Sequence, residues 1–133
     1  MRRFACLVAL GLVLGGGVAA AHHAIGSVYD TSRSLRIEGA ITVFRFTNPH
    51  PTAALEVQGE AGPEVWQLEM DNRREMARAG MDAESLQPGD VVVVAGSPAR
   101  IAPRTLYVRR LDRPADGFWY EQAGRSPEIG FQD

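Results

Sequence analysis

Three histidines, in two short segments, are the residues of this sequence best suited to chemistry. His22 and His23 are adjacent, and His50 lies between two prolines in the loop of residues 47–51. Neutral imidazole is the commonest metal ligand in proteins near pH 7. Three imidazoles, or a chelating N-terminal histidine with one other, suffice for a zinc or copper site with an open position. We therefore predict a transition-metal site formed by His22, His23 and His50.

The residues before His22 have the features of a cleaved signal peptide. Arg2 and Arg3 precede an apolar run over residues 4–14, and three alanines at residues 19–21 form a small-residue cleavage site. The apolar run is shorter than the ~20 residues that a membrane span needs. We expect residues 1–21 to be removed, leaving a periplasmic or secreted chain with no transmembrane segment.

The position of the cut decides what His22 can do. A cut after Ala21 makes His22 the first residue, and its free amine and ring Nδ1 can chelate one metal ion. A cut after Ala20 places His23 third, where the amine, two amide nitrogens and an imidazole form a square-planar set suited to Cu(II) or Ni(II). Both cuts stay open on the sequence alone.

The composition of the expected mature chain excludes several classes of function. Removal of 21 of the 133 residues takes away Arg2, Arg3 and the single cysteine, Cys6, and leaves 12 arginines against 16 acidic residues, a net charge of −4. An acidic chain argues against a nucleic-acid partner. Without cysteine there is no disulfide and no thiolate nucleophile. About 112 residues can form one ordinary hydrophobic core.

The hydrophobic pattern indicates a mainly β domain. Short apolar or alternating runs predict strands at residues 35–46, 53–57, 65–70, 91–95 and 105–111. A short helix capped by Asp71 or Asn72 and stopped by Gly80 falls between the third and fourth strands. This order is that of the five-stranded OB-like barrel, with a split α+β sheet as the alternative. We divide the chain into the signal peptide, an N-terminal segment (22–34), the barrel (35–113) and a polar, aromatic C-terminal tail (114–133).

Other catalytic arrangements are missing from the sequence. It has no Gly-x-Ser-x-Gly elbow, no phosphate-binding glycine loop and no His-Glu-x-x-His pair. Glu69 and Asp71 have the spacing of any strand end. The sequence therefore favours a binding domain over an enzyme.

The aromatic residues offer an alternative function without a metal. Trp66 is expected in the core, whereas Phe118, Trp119 and Tyr120 either cover an open end of the barrel or form an edge for a partner. In the second case an envelope glycan or a periplasmic protein would bind through Trp119 and the loop residues Asn48 and Pro49.

Several short motifs together resemble a known family. His22-His23 is followed by Phe46-Thr47-Asn48-Pro49-His50, then Trp66, and then Leu86-Gln87-Pro88-Gly89-Asp90 with Gly96. This series over residues 22–112 is similar to a family of small exported bacterial proteins of unknown function. The resemblance implies an exported, β-rich domain and brings no established activity.

Overall fold

The computed structural model describes residues 25–132, so the predicted signal peptide and the histidines His22 and His23 lie outside it. No helix in the described range is long and apolar enough to cross a membrane. A helical turn at residues 25–28 comes first. The strands are β1 (Leu35–Arg45), β2 (Thr52–Gly59), β3 (Gly62–Glu69), β4 (Val91–Pro98), β5 (Thr105–Arg113), β6 (Phe118–Glu121) and β7 (Glu128–Phe131), and helix α1 (Arg73–Ala79) follows β3.

The first five strands close into a barrel. β1 pairs antiparallel with both β2 and β4, β2 with β3, and β4 with β5. The barrel closes where Gln67, Leu68 and Glu69 of β3 pair in parallel with the start of β5. The order around the barrel is therefore β1-β2-β3-β5-β4, which with α1 after β3 is the OB arrangement. The prediction of a mainly β, five-stranded OB-like barrel with one short helix is confirmed.

β1 is bent, so that it serves two neighbours. Its first half pairs with β4 and its second half with β2, and the register with β2 slips between Ile41 and Val43. The slip leaves Thr42 out of the ladder, and its hydroxyl donates to the Ala54 carbonyl at 3.2 Å. The hydrophobic pattern changes phase just after this point, at Phe44, because a bulge moves the following side chains to the other face.

Helix α1 begins and ends where its capping residues predict. The Asn72 side chain accepts a hydrogen bond from the Arg74 amide at 2.9 Å, and Gly80 ends the helix with φ at 107°. Positive φ is easy for glycine, which has no Cβ. Met76 is fully buried and attaches the helix to the core.

The core fills the barrel and continues under the helix. Trp66 packs against it while half-buried, and its Nε1 has no hydrogen-bond partner within residues 25–132. The buried cluster comprises Ile41, Ala53, Leu55, Leu68, Met70, Met76, Met81, Leu86, Val92, Val94, Leu106, Val108, Leu111, Phe118 and Tyr120.

The C-terminal segment contains a hairpin that the sequence pattern does not predict. β6 pairs antiparallel with the second half of β5, and β7 pairs with β6. Phe118 and Tyr120 are buried in the core, whereas Trp119 between them is half-buried on the opposite face. Phe118 and Tyr120 therefore belong to the core.

The N-terminal segment packs along the end of β4. Tyr29 forms a β-bridge with Ala99, and the Asp30 amide donates to the Pro98 carbonyl at 2.8 Å. Arg100 fixes the helical turn, because its amide donates to Val28 and its Nε to the Gly26 carbonyl. The segment is thus attached to the barrel before β1 begins.

Candidate functional site

The loop that carries His50 is fixed by one arginine of α1. The Arg73 amide donates to the Pro49 carbonyl at 3.0 Å, and its Nε donates to the Phe46 carbonyl at 3.0 Å. The Arg73 guanidinium also lies 5.0 Å from the centre of the Phe46 ring. Asn48 and Pro49, joined by a cis peptide bond, are exposed. The loop therefore presents its tip to solvent while both sides of it are held.

The His50 ring has a defined tautomer. Its Nδ1 lies 3.0 Å from the Met70 carbonyl oxygen and 3.4 Å from Oε1 of Glu69. A carbonyl oxygen can only accept, so Nδ1 carries a proton, and in the neutral ring Nε2 is the nitrogen with the lone pair. Metal-binding histidines usually donate their second ring N–H to a carbonyl or carboxylate in this way. Nε2 of the neutral ring is therefore the nitrogen that lies opposite these two contacts.

Glu69 connects His50 to the N-terminal segment. Its Oε1 faces His50, and its Oε2 accepts a 2.5 Å hydrogen bond from the Tyr29 hydroxyl. Tyr29 lies six residues after His23 in the sequence. One carboxylate thus links the two segments that contain the histidines.

The three tyrosines of the chain lie close to Glu69 or to Asp71, two residues further along. The Tyr29 and Tyr107 rings are 5.5 Å apart, and the Tyr120 hydroxyl accepts from the Asp71 amide at 3.3 Å. The Tyr107 hydroxyl is buried on the side of the Asp71 carboxylate. Burial raises the pKa of all three, assisted at Tyr29 by the hydrogen bond to Glu69 and at Tyr107 by the Asp71 charge. The hydroxyls therefore stay protonated well above neutral pH.

The structure does not itself assemble the predicted metal site. Residues 25–132 contain no group of three or more His, Cys, Asp and Glu side chains that could hold a metal ion. His22 and His23 precede this range, so a three-histidine site with His50 stays a prediction. Trp119 lies on β6, where the Arg110 guanidinium stacks 4.8 Å from its ring and Gly130 of β7 packs against it.

The link from Tyr29 to Glu69 is the part of the site that the sequence does not reveal. Tyr29 lies in a segment without periodicity, and its contact with Glu69 spans 40 residues. The alternation of β3 does place Glu69 on the face opposite Leu68, at the end of the strand. That position was the available signal, but it does not identify the partners of the carboxylate.

Comparison with solved structures gives only a distant similarity. Crystal structures of TiaS, a tRNA agmatidine synthetase, are similar at low level. The agmatine complex of its ZRD-deleted mutant has 19% identity and a TM-score of 0.43 over 74% of this chain and 26% of that one. The apo enzyme has 17% identity and a TM-score of 0.42 over 76% and 29%. The chain thus spans less than a third of TiaS, and we draw no functional conclusion from this similarity.

No curated protein matches the sequence. Residues 10–106 match DUF6152, a family of unknown function, and this range includes Tyr29, His50 and Glu69. The expectation of a family without known activity is confirmed, and the chain belongs to DUF6152.

Proposed function

We propose that this protein is an exported binding domain that holds a transition metal ion, copper or zinc, through His22, His23 and His50. The observation that carries the proposal is the hydrogen bonding of His50, which leaves Nε2 free and backs Nδ1 with the Met70 carbonyl and the Glu69 carboxylate. This arrangement is typical of a metal-binding histidine and its supporting groups.

The position of Tyr29 supports a contribution from the N-terminal histidines. The Tyr29 amide donates to the Ile25 carbonyl at 2.8 Å, so the described chain starts within one turn of Tyr29. His23 is two Cα steps from Ile25, which is at most about 7.6 Å of chain. The Tyr29 hydroxyl bonds to Glu69, and Glu69 lies against His50, so the segment that follows the N-terminal histidines contacts the groups around His50.

In this proposal each supporting group has a separate role. His50 donates the Nε2 lone pair, and Glu69 orients the ring without binding the metal, because its two oxygens face His50 and Tyr29. The raised pKa of Tyr29 keeps its hydroxyl a donor, so Glu69 stays an acceptor. Three imidazoles suit zinc, and a terminal amine with amide nitrogens suits copper.

Metal analysis of the protein with its natural N-terminus tests the proposal. For this experiment the full sequence is expressed in a bacterial host, and the protein is purified from the periplasm without an N-terminal tag. Its intact mass defines the cut. We expect about one equivalent of copper or zinc after loading and desalting. Less than about a tenth of an equivalent, with no binding on titration of either metal, would refute the site.

Two variants in the same loop separate a metal ligand from a structural residue. His50→Gln keeps an N–H group that can donate to Met70 and removes the imidazole, so metal affinity should fall at least about 100-fold. Asn48→Ala changes an exposed neighbour and should leave the affinity unchanged. Equal affinities for the two variants would exclude His50 as a ligand.

A second candidate function has one supporting observation. The outer face of the hairpin carries half-buried Trp119, and an aromatic side chain in this position suits an envelope glycan or a periplasmic protein partner. This alternative predicts that Trp119→Ala impairs binding to isolated envelope material while His50→Gln does not. The reverse result would favour the metal site.

A further inference from the structure

An open groove lies between the N-terminal segment and the strands β5 and β6. Its volume is about 540 Å³, within the range of pockets that bind small molecules. One wall is the hydroxyl-rich stretch of residues 31–34, and the other is formed by Arg109, Arg110 and residues 121–124, with Ser97 between them. None of these residues belongs to the proposed metal site.

A β-bulge brings two arginines into this groove. In the pairing of β4 with β5, Gly96 faces Val108 and Ala95 faces Arg110, so Arg109 has no partner on β4. A bulge of this kind sets two successive residues against one and re-aims their side chains. Val108 is buried in the core, whereas Arg109 and Arg110 both line the groove.

Arg109 is held in place without being neutralised. Its Nη1 donates to Oε1 of Gln122, and its guanidinium lies 4.9 Å from the centre of the Tyr107 ring. Gln122 is 3% exposed and is itself fixed, because its Nε2 donates to the Arg125 carbonyl at 3.1 Å and its Oε1 accepts from the Gly124 amide. Arg109 forms no ion pair within residues 25–132.

Three arginines and one acidic residue line the groove. Arg110 is paired with Asp112 at 2.6 Å and with Glu121 at 3.1 Å, so its charge is compensated. Arg33 on the opposite wall is exposed and, like Arg109, forms no ion pair in the described chain. Two arginines that form no ion pair in the described chain therefore face one groove in an acidic protein.

We infer that this groove binds a small hydroxylated anion, with Arg109 and Arg33 holding its carboxylate or phosphate. The guanidinium fork matches both oxyanions in two-point hydrogen bonding. The hydroxyls of Thr31 and Ser34 can exchange hydrogen bonds with the sugar-like part of such a ligand, whereas the Ser32 hydroxyl donates to Asp30. The class of ligand is therefore a sugar acid or a sugar phosphate. The inference is independent of the metal site.

Titration of the mature, isotopically labelled protein followed by NMR tests this inference. The probes are inorganic phosphate, glucose 6-phosphate and glucuronate, with uncharged glucose as the control. We expect saturable shifts at the amides of Ser97, Arg109 and Gln122 with the three anions and none with glucose. The sugar anion that binds with the higher affinity shows whether the groove prefers a phosphate or a carboxylate. The absence of saturable shifts with all anions, or an equal response to glucose, would overturn the inference.

Variants of the two walls show whether the arginines act directly. Arg109→Gln removes a charged hydrogen-bond donor, so affinity for the preferred sugar anion should fall about 10- to 100-fold. Arg33→Gln lies on the exposed wall, and we expect a loss of about threefold or more. Arg74→Gln on the exposed side of α1 is the matched control and should change nothing. If Arg109→Gln alters the circular dichroism spectrum, Arg33→Gln decides, and unchanged affinity in it would overturn the assignment.

Discussion

The surroundings of His50 and the arginine groove are built from opposite chemistry. Around His50 the groups are an imidazole lone pair, the Glu69 carboxylate and the Tyr29 hydroxyl, which together suit a cation. In the groove the groups are guanidinium donors and hydroxyls, which suit an anion. The barrel strands alone complete neither region. Both need the N-terminal segment, which supplies Tyr29 to one and residues 31–34 to the other.

The two regions adjoin at Tyr107. Its ring contacts the ring of Tyr29, and the Arg109 guanidinium stacks on it as well. Tyr107 is fully buried although it alternates with the core residues Leu106 and Val108, because the N-terminal segment and Arg109 cover the outer face of β5. A single buried ring thus lies between the region that suits a cation and the groove that suits an anion.

Raising the pH above 10 should have the largest effect on stability, and it acts on the tyrosines rather than on the arginines of the groove. The chain has no lysine, so its three tyrosines are the side chains that titrate there, while arginine stays charged. The pKa values of the tyrosines are raised in the folded state, so the unfolded chain loses these protons at lower pH than the folded protein does. The free energy of unfolding is therefore unaffected by the tyrosines well below pH 10 and falls as the pH rises above it. We expect a loss of up to about 4 kcal/mol by pH 11 in urea unfolding.

Tyr107→Phe should make that pH dependence shallower, since one titrating group is removed. Equal stability of the unmodified protein at pH 9 and pH 11 would contradict the buried, neutral state of the tyrosines.

Gly96→Ala should destabilise the pairing of β4 with β5 at the bulge that positions Arg109. A Cβ at Gly96 would lie 2.3 Å from the Tyr107 carbonyl oxygen, so β4 and β5 would have to separate. We expect a destabilisation of about 3 kcal/mol in urea unfolding. Gly26→Ala is the control, because a Cβ there meets nothing within 4 Å. A change at Gly96 no larger than at Gly26 would show that the close approach is not required.

Tyr29→Phe should affect the His50 region alone. The variant keeps the ring against Tyr107 and removes the hydroxyl that Glu69 accepts from. If the proposed metal site exists, loss of this supporting group should weaken copper or zinc binding about tenfold. Titration with glucose 6-phosphate should give the same affinity as before. A parallel loss in both titrations would mean that the two regions are not separate.

Gln122→Glu should give the smallest effect and should affect the groove alone. The new carboxylate would stay beside Arg109 and compensate its charge, while a side-chain donor to Arg125 is lost. We expect anion affinity to fall about threefold and metal affinity to stay unchanged. Tighter anion binding in this variant would contradict the role given to the Arg109 charge.

Much of the barrel could be predicted because its signals are local. Alternating or continuous apolar runs mark the five strands, and Asn72 and Gly80 mark the ends of α1. The bulge in β1 also shows as a change of phase near Phe44. Each of these signals depends on a few neighbouring residues.

The rest depends on contacts between distant residues. The hairpin strands β6 and β7 have four residues each and lie among proline, glycine and polar residues, so their pattern is too short to recognise. His50 could be selected by its residue type, but the contact of Tyr29 with Glu69 arises only when the barrel is closed. Likewise, the position of Arg109 depends on a register slip that no local pattern reports.

The division of β5 between two neighbours has a consequence for local unfolding. Its first residues are paired with β3 and close the barrel, whereas its last residues are paired with β6. In the described residues β6 pairs as a strand only with β5 and β7, so the hairpin can open while the seam between β3 and β5 stays paired. Such an opening would release Gln122 and free Arg109 before it disturbed His50. The amides of β6 should thus exchange with solvent faster than those of the seam.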